Sequence, residues 1–158
     1  MNGKFRECDS GMTGREAMST GPECDGGVWS GRRVVLVVED DDDVRRFVVT
    51  ALQLHGHSVF AAPSPRHALD VYERHADSIG VILLDVVMPG MTGVELLTYF
   101  RRVRADTPVI FMTGCTPASL ERVIQEPCVH GILSKPFRME DMLMCVHRAM
   151  SLGSEPRA

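Results

Sequence analysis

Five polar residues stand where apolar runs stop. Residues 34–38 end in Glu39 and Asp40, 80–84 in Asp85, 108–112 in Thr113, and 131–134 in Lys135. Three carboxylates brought together repel and need a cation. Hard oxygen donors with positions left for water suit Mg²⁺. A carboxylate beside such an ion can attack phosphorus and become an acyl phosphate. The ion and an ammonium then share the charge on the transferring phosphoryl oxygens. A hydroxyl can donate to the phosphoryl group once it is attached. Asp40, Asp85, Lys135 and Thr113 cover those roles, with Glu39 as a further acidic group near the ion. Singly, each has a plainer reading. Acids after a strand suit a helix N-terminus, and Asp41, Asp42 and Asp43 are read that way. A lone Asp after a strand is commonly a turn residue. Joint occurrence at four strand ends argues for a site.

The elements that must position these groups follow from periodicity. Val34-Val35-Leu36-Val37-Val38 is apolar and mostly β-branched, as in a strand buried on both faces. A helix is expected over 43–54, where Val44, Phe47, Val48, Ala51 and Leu52 recur at helical spacing. A short strand is expected at 58–61, then a helix opening near Pro65. Residues 80–84 form a third strand, followed by a loop broken by Pro89, Gly90 and Gly93. A helix through Val94, Leu97 and Phe100, a strand at 108–112, a helix at 117–125, a strand at 131–134 and an amphipathic helix at 138–150 complete the pattern. Five strand–helix alternations predict an α/β fold, a parallel sheet with helices on both faces. In such sheets ligands bind at the carboxyl ends of the strands.

Composition narrows the function. The 158 residues suit one domain, and 44% hydrophobic with 24% charged residues excludes disorder of the whole chain. Residues 1–32, rich in Gly and without apolar periodicity, are expected to be a flexible N-terminal extension. The domain is expected over 33–150, with 151–158 a C-terminal tail. No membrane span is expected, because no apolar run approaches ~20 residues. Without an apolar signal core at the N-terminus, a cytoplasmic domain is the default. Net charge is −4, and no basic stripe is seen, so direct nucleic-acid binding is not expected. The five cysteines form no C-x-x-C pair and read as free thiols. His55 and His57 read as a solvated turn, not a metal site.

Val37-Val38-Glu39-Asp40-Asp41, the segment Leu83-Leu84-Asp85-Val86-Val87-Met88-Pro89-Gly90-Met91-Thr92-Gly93, Met112-Thr113-Gly114 and Lys135-Pro136-Phe137 together resemble the receiver domain of bacterial two-component response regulators. The resemblance covers about 33–150, and Asp-x-x-Met-Pro-Gly-Met-x-Gly is its most specific part. It implies a flavodoxin-like, doubly wound sheet of five parallel strands in the order 2-1-3-4-5. Asp85 is then the phospho-acceptor, receiving the phosphoryl group from a phosphohistidine on a sensor histidine kinase or phosphotransfer protein. Asp40, Asp85 and the Val87 backbone carbonyl are then the Mg²⁺ ligands, with Glu39 acting through water. Thr113 is the switch hydroxyl and Lys135 the phosphate-binding cation, with a Lys135–Pro136 bond that is often cis in the family. Phosphorylation would shift the population toward another surface, built from roughly 117–150 and containing Met139, Met142 and Met144, each of which reads more readily as ordinary core than as adaptable surface. The short stretches flanking 33–150 imply a receiver of the single-domain type.

Several positions depart from the family pattern. Ile132 stands where an aromatic residue often precedes the lysine by three positions. Val87 and Cys115, two positions after Asp85 and Thr113, do not readily orient an attacking water, which predicts slow self-hydrolysis. Residues 125–130 lack the usual small residues, so the fourth helix is expected to end before Pro127. Two other readings compete. A receiver-like interaction module would work without phosphorylation. A phosphatase of the haloacid-dehalogenase type would use Asp40 as nucleophile and Asp42 as general acid, leaving Asp85 and its Met-Pro-Gly loop unexplained.

Overall fold

Strands and helices alternate from residue 34 to residue 152: β1 Val34–Val38, α1 Asp42–Leu54, β2 Ser58–Ala62, α2 Pro65–His75, β3 Ile79–Asp85, α3 Gly93–Val103, β4 Val109–Thr113, α4 Ala118–Val123, β5 Val129–Ser134 and α5 Met139–Leu152. The computed structural model describes residues 34–115 and 118–152. The expected extension at 1–32 and residues 153–158 of the expected tail lie outside them. The strands pair in parallel in the order β2-β1-β3-β4-β5, the doubly wound, flavodoxin-like arrangement.

Alternation along each strand builds two cores. Val35 and Val37 of β1, Val81 and Leu83 of β3, and Ile110 and Met112 of β4 face α1 and α5. Leu36 and Val38, Ile82 and Leu84, and Phe111 face α2, α3 and α4. Both sides of the central strands are therefore apolar, which is why their sequences read as unbroken hydrophobic runs. Each fully buried Val, Leu or Ile contributes roughly 1.5–3 kcal/mol relative to an exposed one. Tyr72 of α2 is buried as well, and its hydroxyl meets the Thr107 hydroxyl at 2.6 Å.

Caps fix where the helices begin. Asp41 caps α1 by accepting from Asp43 N–H at 2.9 Å and Val44 N–H at 3.0 Å. Ser64 caps α2, and Pro65 sits in its first turn. Thr92 and Glu95 form a capping box on α3.

The boundaries depart from expectation in identifiable places. Helix α5 continues through Ser151 and Leu152, so the tail does not start at 151. Ser151 Oγ donates to the His147 carbonyl at 2.9 Å. Helix α4 is six residues long and stops at Val123, before the expected 125. The Glu126 N–H turns back to the Val123 carbonyl at 3.0 Å, and Val129 N–H to the Glu126 carbonyl at 2.9 Å. That turn also starts β5 two residues ahead of the expected 131. Met142 is fully buried in the core under α5, so it is not part of an adaptable surface; Met144 is exposed. Among the described residues, no helix is long and apolar enough to cross a membrane.

Candidate functional site

Strand register, more than any loop, assembles the polar groups. Val38 pairs with Leu84, so Glu39 and Asp85 are the next residues outward on neighbouring strands. Asp85 pairs with Met112, which puts Thr113 one step further out on β4. Thr113 pairs with Ser134, and Lys135 follows. Four strand ends thus deliver their polar residues to one rim of the sheet.

Lys135 Nζ lies 2.6 Å from Glu39 Oε2 and 3.4 Å from Asp85 Oδ2. Glu39 is fully buried and Asp85 nearly so. Glu39 Oε1 also accepts from the Asp41 N–H at 3.2 Å. Carboxylate oxygens of Glu39, Asp40 and Asp85 all lie within 4.8 Å of one another. Burial first, then the charge and proximity of Glu39, push the Asp85 carboxyl up to about 7; Lys135 and the Val87 N–H pull the other way. Burial disfavours the Lys135 ammonium, but its hydrogen bond to Glu39 and the charges of Glu39 and Asp85 outweigh that and raise its pKa. One ammonium facing three carboxylates leaves the rim short of positive charge. The donors are all oxygens at a spacing one small divalent ion can span, so these residues fit Mg²⁺.

The loop after β3 is shaped around Asp85. Val87 N–H donates to Asp85 Oδ1 at 3.3 Å, bringing the Val87 backbone to the carboxylate. Gly90 has a φ of +83°, a left-handed conformation suited to glycine. Gly93 opens α3 against β3, and a Cβ there would lie 2.2 Å from the Asp85 carbonyl oxygen. Thr113 is buried, and its hydroxyl is engaged locally. It accepts from the Cys115 N–H at 3.2 Å and donates to the Cys115 carbonyl. The Lys135–Pro136 peptide bond is cis.

Glu39, Asp40, Asp85, Thr113 and Lys135 therefore stand along one rim of the sheet. Asp42, the general acid of the phosphatase reading, is instead ion-paired with Arg45. Sequence reasoning missed Arg45 and the close approach at Gly93. It also passed over Thr92-Gly93-Val94-Glu95, whose T-x-x-E spacing is a capping-box signature.

The sequence model of the response regulator receiver domain matches residues 35–147. The chain is 34% identical over 110 residues to the response regulator receiver protein CpdR of Brucella abortus, an alignment covering 69% of this chain and 89% of that protein. It is 36% identical over 117 residues to the sensor kinase CckA of the same organism, covering 74% of this chain and only 12% of the kinase. Among solved structures, the chemotaxis protein CheY4 of Vibrio cholerae superposes with a TM-score of 0.67 at 31% identity, covering 75% of this chain and 98% of that one.

Proposed function

The chain belongs to the response regulator receiver family, and we propose that it takes a phosphoryl group onto Asp85 from the phosphohistidine of a sensor histidine kinase or phosphotransfer protein. One observation carries this reading: a nearly buried Asp85 carboxylate in reach of one ammonium and two further carboxylates. In the transfer, an Asp85 carboxylate oxygen forms the new O–P bond as the N–P bond to imidazole breaks, and the imidazole nitrogen keeps the electron pair. Asp85 must be ionised to attack. Lys135, already at Asp85, neutralises charge on the incoming phosphoryl oxygens. Asp40, Asp85 and the Val87 carbonyl would hold Mg²⁺, with Glu39 acting through water. When bound, that ion supplies the charge stabilisation that phosphoryl transfer needs. After transfer, Thr113 would exchange its local bonds to Cys115 for one to the phosphoryl group, moving the start of the β4–α4 loop.

The partner's approach has support on the same rim. Val44, Phe47, Pro136 and Phe137 line an apolar groove that ends at Lys135. A protein helix carrying the phosphohistidine is the occupant we assign, because Lys135, which lines the groove, also reaches Asp85. The cytoplasm is the compartment that goes with such a donor. The family is one of signalling proteins, and the chain's own part in its phosphorylation and slow dephosphorylation belongs to this proposal.

Mass spectrometry after incubation with a small acyl phosphate and Mg²⁺ tests the reading. The wild type should gain one phosphoryl group and Asp85→Asn none. Equal labelling of both would overturn the assignment of Asp85. No labelling of either would favour an interaction module that works unphosphorylated.

A further inference from the structure

Residues 39–43 place five acids in a row, yet a Mg²⁺ site works with few, well-placed donors. The turn between β1 and α1 sorts them. Glu39 is taken by Lys135. Asp41 caps α1. Asp42 is taken by the Arg45 guanidinium. The same guanidinium reaches back over the turn. Its Nη1 donates to the Glu39 carbonyl at 2.8 Å and, at 3.4 Å, to that of Asp40. The Arg45 backbone N–H also bonds to the Asp41 carbonyl at 2.9 Å. Only 18% of the Arg45 side chain is exposed. One side chain in the first turns of α1 therefore pins the peptide units that carry Glu39 and Asp40, and engages the Asp42 carboxylate.

We propose that Arg45 is the positioning residue that gives the acidic rim its affinity for Mg²⁺ and its preference for Mg²⁺ over Ca²⁺. The inference rests on the reading that Asp40 and Asp85 bind Mg²⁺. Mg²⁺ demands near-octahedral geometry with short bonds and few protein donors; Ca²⁺ accepts about six to eight oxygens in looser arrangements. A turn clamped at two carbonyls, with Asp42 held aside, serves the first ion. A slack turn with Asp42 released serves the second. The planar guanidinium spreads its donors over a rigid fork, so it bridges carbonyls and a carboxylate with less loss of freedom than a compact ammonium on a flexible stem.

Calorimetric titration of the full chain with Mg²⁺ alone and Ca²⁺ alone tests this. For Arg45→Ala, Mg²⁺ affinity should fall about 10–100-fold, as when other groups that orient metal ligands are lost. Ca²⁺ affinity should fall less than about threefold, or rise, so the selectivity ratio drops by about threefold or more. Arg45→Lys should fall between. Adding Asp42→Asn to Arg45→Ala should lower Ca²⁺ affinity further, until its fall matches that of Mg²⁺. A purely structural role would weaken both ions in proportion; that result, or unchanged Mg²⁺ affinity, overturns the proposal. Should Arg45→Ala fail to fold, Arg45→Lys and Arg45→Gln carry the same comparison. A wild type that binds neither ion would overturn the Mg²⁺ reading and this inference with it. A wild type that binds Mg²⁺, with variants of unchanged ratio, would overturn this inference alone.

Discussion

Asp85→Asn should stabilise the metal-free protein, and increasingly so as pH rises. Asn keeps the side chain's shape and can still accept the Val87 N–H, while removing the charge that burial and Glu39 oppose. The Asp85 carboxyl stands at about 7 in the folded chain against an ordinary 3.8. Its folded pKa is raised, so the folded state holds a proton that the unfolded chain releases. Wild-type stability therefore falls as pH climbs from about 4 toward 7, and levels off above. At 1.36 kcal/mol per unit, the whole effect is on the order of 4 kcal/mol, more than half of it falling between pH 5 and pH 8. Urea denaturation of wild type and Asp85→Asn, in excess chelator across that range, reads it directly. The gap between the two should widen with pH by that amount. Mg²⁺ at the upper pH should then restore the wild type far more than the variant, since bound ligand stabilises only a competent site. A gap that stays constant with pH, or equal rescue of both chains by Mg²⁺, would refute the idea that Asp85 is ionised against an unmet charge.

Other perturbations act on neighbouring contacts. Lys135→Met strips fully buried Glu39 of its ammonium; a loss of about 3 kcal/mol is expected in chelator, smaller with Mg²⁺ present, by denaturant titration. Gly93→Ala drives a Cβ into the Asp85 carbonyl oxygen; about 2–3 kcal/mol should be lost, with Mg²⁺ affinity falling too because the backbone of Asp85 must shift. The phosphorylated chain should lose its phosphoryl group slowly, because neither Val87 nor the Cys115 side chain readily orients water. Val87→Asn should quicken that decay by about tenfold, followed by mass spectrometry over time, and rapid decay in the wild type untouched by substitution at either position would count against it.

The sheet was legible because its central strands are buried on both faces, so β1, β3 and β4 read as apolar runs with polar residues at their ends. The same logic made Glu39, Asp40, Asp85, Thr113 and Lys135 visible, since a polar residue ending a buried run must emerge at the sheet's rim. Asp41 was readable as a helix-start acid for a similar local reason. Arg45 was not. Its role lies in which way the Glu39 and Asp40 carbonyls turn, and residue type carries no record of carbonyl direction. Gly93 looked like one more loop breaker beside Pro89 and Gly90, yet it opens a helix and matters because β3 passes behind it. The end of α4 was misplaced because Pro127 drew attention, while the chain had already turned at Val123 through backbone bonds open to many sequences. Side chains that emerge from a periodic element can thus be found from pattern. Groups that act on backbone need the turn itself, and at this rim they meet the carbonyls of Glu39, Asp40 and Asp85.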